Sequence, residues 1–183
     1  MPLPVAHALV GAAIAEVMLP RDTPHRLRKV LAAGALAVAP DLDFMLVWLL
    51  GLDRDWHRGF SHSLVVAAMP GCIALAWHGR AHWQEAAAYG IAVASHGLLD
   101  AVTTVQGRGV QLLWPLWMER FRFGVVDIWE MQPGWLAAGE LGRAFQVTAL
   151  ELLVLGPVML GLVYFRRCAG RHGLRSPSEA RHF

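Results

Sequence analysis

Five apolar stretches separated by polar segments divide the chain. They cover residues 3–19, 30–52, 61–77, 85–105 and 145–165. Each approaches the roughly 17–25 residues that a helix needs to cross the hydrocarbon core of a bilayer. The pattern therefore predicts an all-α fold, a polytopic transmembrane bundle of about five spans. It also predicts one domain over residues 1–165, followed by a basic cytoplasmic tail over residues 166–183.

The second stretch contains a local interruption. Pro40 removes a helical hydrogen bond, and Asp41 and Asp43 follow it directly. The predicted break frees backbone and allows two carboxylates to face a cavity that water can enter. Ser61, at the start of the third stretch, is predicted to cap that helix.

Composition narrows the class of protein. The chain is 56% hydrophobic and only 16% charged, which excludes a disordered chain and disfavours a small soluble enzyme. The sixteen Lys and Arg are scattered and the net charge is +2, so no nucleic-acid partner is predicted. The basic residues follow the first apolar stretch rather than precede it, which argues against a cleaved signal peptide.

The distribution of Lys and Arg predicts an orientation. Ten of these residues lie in the first and third connections and the tail, against six in the second and fourth connections. Positive residues favour the cytoplasmic side. We therefore expect the C-terminus to be cytoplasmic and the N-terminus to lie outside.

A long connection over residues 106–143 holds half of the eight tryptophans: Trp114, Trp117, Trp129 and Trp135. Tryptophan interleaved with charge is typical of the lipid headgroup layer. The connection either lies over the mouth of a site or only anchors the fold.

Ionisable residues within membrane spans are costly, so each is a candidate functional residue. On the predicted topology, seven of them fall at similar depth toward the outer face: His7, Asp41, Asp43, His57, His62, His96 and Asp100. His96 and Asp100 are four residues apart and share one face of a helix. Imidazole and carboxylate together suit zinc, with manganese or iron as alternatives. The set predicts a metal site among spans one to four.

Four separated motifs resemble the YdjM-type family of membrane-bound metal-dependent hydrolases. They are His7 with Gly11, Pro40-Asp41-Leu42-Asp43, Arg58-Gly59-Phe60-Ser61-His62-Ser63 and Ser95-His96-Gly97-Leu98-Leu99-Asp100. The match covers roughly residues 1–125. This resemblance implies an integral protein of a bacterial or archaeal cytoplasmic membrane.

The His96-x-x-x-Asp100 pair is also similar, more distantly, to a zinc-binding motif of the zinc-dependent phospholipase C and P1 nuclease superfamily. That resemblance implies one or two divalent ions, with Asp43 and His57 either beside the ligands or on a second metal. The implied ligands are His7, Asp41, His62, His96 and Asp100. The further His and Glu that this superfamily uses do not follow Asp100.

The resulting hypothesis is a metal-dependent hydrolase that acts on a lipid or lipid-linked phosphoester through metal-activated water. Whichever of Asp43 and Asp41 stays off the metal is predicted to take the proton from that water. Arg58 is expected to stabilise developing negative charge, and His57 to protonate the leaving oxygen.

Two alternatives use the same residues. A metal-free lipid phosphatase with a phosphohistidine would lack its expected arginine six residues before His96, where Gly90 stands. A transporter or proton relay also uses intramembrane His and Asp, but no internal repeat is visible and only the second span is broken. The substrate bond and the oligomeric state stay open.

Overall fold

The structure is a computed structural model, and it describes residues 4–53, 56–104, 108–125 and 139–172. Within these ranges the fold is all-helical. The α-helices are α1 (Pro4–Met18), α2 (Arg26–Val38), α3 (Asp43–Leu50), α4 (Leu64–His78), α5 (Trp83–Thr103) and α6 (Gly139–His172). Short 3₁₀ turns occupy Ala39–Leu42, Phe60–His62 and Arg80–His82.

The predicted break at Pro40 is confirmed. Pro40 lies in the 3₁₀ turn Ala39–Leu42, which joins α2 to α3. Proline at this position has no N–H to leave unpaired, and the tighter turn carries the chain past its ring. Asp41 lies within the turn and Asp43 begins α3, and both carboxylates come within 4 Å of the His62 ring nitrogens.

The predicted cap of the third span is wrong by two residues. Ser63, not Ser61, is the N-cap of α4, and its hydroxyl accepts a hydrogen bond from the backbone N–H of Val66 at 3.2 Å. A 3₁₀ turn precedes the helix, so Ser61 is still inside that turn while Ser63 has the extended backbone that a cap requires. This leaves the Ser61 hydroxyl available for another role.

Helix α6 is longer than the fifth apolar stretch. It begins at Gly139, within the predicted connection, and continues to His172, within the predicted tail. Residues 173–183 of that tail lie outside the described residues, as do Trp129 and Trp135.

Small residues form the interior of the bundle. α1, α2 and α5 pack against one another, α4 packs on α5, and α6 packs on α1. The main buried cluster consists of Ala15, Leu19, Ala33, Ala37, Ala88 and Ala92. Gly11 shows why small residues are needed, because a Cβ there would meet the carbonyl oxygen of Ala33 at 2.7 Å. Close helix packing through small residues is typical of membrane bundles.

The outer surface is apolar. Leu, Val and Phe side chains are exposed along the helices, while the buried residues are mostly alanine and polar groups. Two stretches, Arg26–Leu50 and Phe145–Arg166, are long and apolar enough to cross a membrane, whereas Pro4–Met18 and Leu64–His78 are apolar but shorter. A bundle of about five spans therefore remains a prediction.

The described part of the long connection crosses the end of α5. Val110 and Phe121 pair as an isolated antiparallel bridge, and the N–H of Phe123 donates to the carbonyl of Ala101 at 2.8 Å. The N–H of Gln111 also donates to the carbonyl of Arg58 at 3.1 Å. Residues 108–125 thus cover the end of the bundle at which the polar motifs meet.

Candidate metal centre

Four separate elements bring the polar motifs together. His7 lies near the start of α1, Asp41 in the turn after α2, and His62 just before α4, while His96 and Asp100 lie near the end of α5. Because successive helices alternate in direction, all five positions fall at one end of the bundle. His7, His96 and Asp100 are fully buried.

Four of these residues direct one atom each to a common point. The Nε2 atoms of His62 and His96 lie 3.0 Å apart. Asp41 Oδ1 lies 3.3 Å from His96 Nε2 and 3.7 Å from His62 Nε2. Asp100 Oδ2 lies 3.6 Å from His62 Nε2 and 3.9 Å from His96 Nε2. All four atoms lie within 4.8 Å of one another, a spacing that can hold a metal ion.

The other nitrogen of His96 fixes the state of its ring. Nδ1 lies 2.7 Å from the carbonyl oxygen of Ala37. A carbonyl only accepts, so Nδ1 carries the hydrogen and donates it. In the neutral ring, Nε2 of His96 is therefore an unprotonated lone pair that faces the common point.

A chain of hydrogen bonds also determines which ring nitrogen of His62 carries the hydrogen. The Ser61 hydroxyl donates to the carboxylate of Asp43, which uses the only hydrogen of that hydroxyl. Ser61 Oγ must then accept from His62 Nδ1, which lies 2.9 Å away. The Nε2 of a neutral His62 is consequently unprotonated as well, and two lone pairs face each other at 3.0 Å.

Several buried polar atoms at this point have no hydrogen-bond partner. They are Asp41 Oδ1, both oxygens of Asp100, both ring nitrogens of His7, and Arg58 Nε. Buried carboxylates and imidazoles without partners are costly, and native proteins rarely leave them so. A cation between the four atoms would satisfy both lone pairs and the two carboxylates together.

His7 lies beside the four-atom group rather than in it. Its ring stacks on that of His96 with centroids 3.8 Å apart. Its Nε2 lies 3.5 Å from Asp100 Oδ1, whereas the other oxygen, Oδ2, is the one that approaches His62 and His96. The structure thus brings His7 to the site, where it contacts His96 and Asp100.

Asp43 forms hydrogen bonds with three residues of the neighbouring segment, His57, Arg58 and Ser61. Its Oδ1 lies 2.7 Å from Nδ1 of His57. Its Oδ2 accepts from the backbone N–H of Arg58 at 3.2 Å and from the Ser61 hydroxyl. Both oxygens of Asp43 are therefore engaged by the chain itself.

Arg58 and His57 lie at the rim of the site. Arg58 has a left-handed backbone with φ of 61°, which is uncommon for a residue with a side chain. Its Nη1 donates to the Thr104 hydroxyl at 3.2 Å, and its Nε lies 3.4 Å from Asp100 Oδ2. The His57 side chain is 18% exposed, so it contacts both Asp43 and solvent.

Arg120 holds this segment in place, although no sequence motif singled it out. Nη1 of Arg120 donates to the carbonyl oxygen of Gly109 at 3.1 Å and lies 3.4 Å from those of His57 and Arg58. Burial lowers the pKa of Arg120, as do the positive charges of Arg108 and Arg58. Only the position of Arg120 in a Trp-rich connection hinted at a role, since irregular segments carry no periodicity.

The fold and the site together define a helical membrane protein whose interior holds a buried cluster of imidazoles and carboxylates. Comparison with known families agrees, because the YdjM inner membrane protein family matches residues 1–171, and the chain belongs to it. The chain is also similar to Inner membrane protein YbcI of Escherichia coli (strain K12). The two are 32% identical over 179 residues, which cover 91% of this chain and 99% of that protein. No solved structure matches the chain.

These comparisons confirm the resemblance to the YdjM family and a location in a membrane. The more distant resemblance to the phospholipase C and P1 nuclease superfamily stays a prediction.

Proposed function

We propose that the chain is a membrane-embedded metal-dependent hydrolase that acts on a lipid or lipid-linked phosphoester. The observation that carries the proposal is the pair of unprotonated imidazole nitrogens 3.0 Å apart, next to the buried carboxylate of Asp100 and the partly buried carboxylate of Asp41. Second-sphere contacts of this type, Nδ1–H to a carbonyl or toward a carboxylate, are those that orient metal-binding histidines.

The spacing of the four atoms suits a small divalent cation. Tetrahedral zinc with ligand distances of about 2.0–2.1 Å requires its ligand atoms to be about 3.4 Å apart. The five individual separations given above run from 3.0 to 3.9 Å. Two imidazoles and two carboxylates also accept manganese or iron. His62, His96, Asp41 and Asp100 are the proposed ligands.

His7 is the fifth proposed ligand. Nε2 of His7 and Oδ1 of Asp100 form a second pair of unpartnered atoms, 3.5 Å apart. Asp100 would then contribute one oxygen to each side, so the site accommodates one ion or two.

A divalent cation bound here would acidify a water molecule and polarise a phosphoryl oxygen. The protein's own contribution begins with Asp43. Because Asp41 belongs to the ligand group and both oxygens of Asp43 are hydrogen-bonded, we assign Asp43 to positioning. It holds the Nδ1–H of His57 and thereby leaves Nε2 of His57 to move a proton at the rim. His57 can take a proton from the attacking water or give one to the leaving oxygen.

Arg58 is the proposed electrostatic group. Its backbone is held by Asp43 and its Nη1 by Thr104, so its guanidinium is oriented before a substrate arrives. A guanidinium group is planar and permanently charged, so it can donate two parallel hydrogen bonds to the oxygens of a phosphoryl group. Its approach to Asp100 Oδ2 at 3.4 Å keeps it next to the proposed ligands.

The location of the site supports a lipid substrate. The site lies at one end of an apolar bundle, and the exposed Trp56 lines a cavity together with Gly59 and Phe60 of the adjoining segment; such aromatic residues favour the membrane interface. The excess of Lys and Arg at the opposite end supports an outer-facing site and a cytoplasmic C-terminus.

The first experiment is the metal content of detergent-purified protein, prepared without chelators and offered zinc, manganese or iron. We expect at least one equivalent in the wild type and its loss in the double variant His96→Ala, Asp100→Ala. His82→Ala is the matched control, since His82 is exposed at the other end of the bundle. Helical circular dichroism identifies folded samples. Absence of metal from the wild type would overturn the proposal in favour of the phosphohistidine or proton-relay alternatives.

A further inference from the structure

A cavity of about 450 Å³ lies next to the candidate metal centre. Its walls come from two segments, the turn before α4 and the start of the long connection. One wall contains Gly59 and Phe60, which lie between Arg58 and His62 in the chain. The cavity and the proposed ligands therefore share one continuous segment.

The lining of the cavity is aromatic on one side. The rings of Trp56 and Phe60 meet edge to face at 6.5 Å, and those of Phe60 and Trp114 lie 5.8 Å apart. Aromatic rings that carry one polar atom, as in tryptophan, are favoured at the membrane interface. The aromatic wall therefore suits a position at the level of lipid head groups.

The remaining lining is mostly polar. Among the described residues, Arg108 and Arg120 contribute two guanidinium groups to it and Asp53 contributes one carboxylate. A second hollow, between α4 and α5, is lined by alanine, glycine and larger apolar residues such as Leu64 and Trp83. The two therefore differ in chemistry, and the cavity beside the metal centre is the one suited to an anionic polar group.

We infer that this cavity binds the phosphate-bearing head group of an anionic membrane lipid. Guanidinium groups bind phosphate through charge-assisted hydrogen bonds, and the aromatic wall packs against the glycerol or acyl ester region. The inference rests on the proposed function only for the role of the bound lipid, which would be the substrate.

Arg120 connects the cavity to the site. Nη1 of Arg120 approaches the carbonyl oxygens of His57 and Arg58, the two residues proposed to act on the substrate. A head group that contacts Arg120 would therefore contact the residue that holds the catalytic segment in place.

The test measures lipid binding to the full, detergent-purified chain by native mass spectrometry. The probes are dioctanoyl phosphatidylglycerol and dioctanoyl phosphatidylcholine, which differ in head group but not in acyl chains. We expect the anionic lipid to bind more tightly. Arg108→Gln should weaken its binding about fivefold, the effect of one exposed ionic contact. It should weaken phosphatidylcholine binding less, because the choline cation offsets the phosphate charge and is repelled by the same guanidinium. Arg80→Gln is the matched control, since Arg80 is exposed at the opposite end.

Equal binding of the two lipids, or the same loss in Arg80→Gln as in Arg108→Gln, would overturn the inference. Zinc content measured on the same samples separates the two proposals. If the protein contains zinc but does not prefer the anionic lipid, the inference about the cavity is overturned and the proposed metal centre is supported. If it prefers the anionic lipid but contains no zinc, the inference about the cavity is supported and the proposed metal centre is contradicted. With zinc present, consumption of the bound lipid identifies it as substrate, whereas an intact lipid supports the cavity as a site for a resident lipid.

Discussion

Replacement of Ser61 by alanine should weaken metal binding without removing any proposed ligand. Ser61 is the acceptor that keeps the hydrogen of His62 on Nδ1. Without the hydroxyl, the nearest alternative acceptor is Asp43 Oδ2, 3.5 Å from Nδ1, which is beyond ordinary hydrogen-bond distance. The hydrogen of His62 is then free to move to Nε2, where His96 Nε2 accepts it at 3.0 Å.

The expected loss of zinc affinity follows from the new hydrogen bond in the Ser61→Ala variant. A buried hydrogen bond contributes about 1 kcal/mol net, and in the variant the hydrogen bond between the two imidazoles must break before a cation can bind. Loss of the orienting contact adds to this. Removal of such second-sphere partners reduces metal affinity by about 10–100-fold, which corresponds to about 1.4–2.8 kcal/mol. We expect Ser61→Ala to lie near the lower limit, a loss of about tenfold.

The assay is zinc titration against a competing chromophoric chelator, in detergent and at constant pH. Ser63→Ala is the matched control, because Ser63 caps α4 two residues away and contacts neither imidazole. It should lower the free energy of unfolding by about 1 kcal/mol and leave zinc affinity unchanged. Equal zinc affinity in Ser61→Ala and the wild type would refute the assignment of the His62 hydrogen.

Two further predictions concern packing and proton transfer. Gly97→Ala would drive a Cβ into the carbonyl oxygen of His62, so we expect the free energy of unfolding to fall by about 1–3 kcal/mol and the zinc content to fall as well. Thermal unfolding measures the first effect. Gly156→Ala is the control: nothing lies within 4 Å of a Cβ at Gly156, so stability and zinc content should both be unchanged. His57→Gln should retain zinc but lower turnover of a phosphoester about 10²–10⁴-fold, because Asp43 would no longer hold a proton carrier. Loss of zinc in that variant would instead make His57 a ligand.

Helix alternation made the location of the site predictable. His7, Asp41, His62 and Asp100 belong to separate apolar stretches, and the alternating directions of the helices place them at one end before any contact is known. The break at Pro40 was predictable for a similar reason, since proline lacks the hydrogen that the helix needs.

Atomic roles within the site were not predictable. Ser61 and Ser63 have the same chemistry two residues apart, and only the 3₁₀ turn decides which one caps α4. Likewise, the sequence places His7 in the site, but which side of Asp100 it contacts depends on the packing of α1 against α5. Arg120 lies in irregular backbone, where no periodic pattern indicates its partners.

The break at Pro40 has a consequence for how the protein is made. The stretch Arg26–Leu50 is long and apolar enough to cross a membrane, although an aspartate costs up to about 2.5–3.5 kcal/mol to insert, the value at the centre of a span. Synthesis proceeds from the N-terminus, so Asp41 and Asp43 leave the ribosome before His57, Ser61, His62 and His96 do. These partners follow only with the segment before α4 and with α5, so binding of the proposed cation would be a late step of biogenesis.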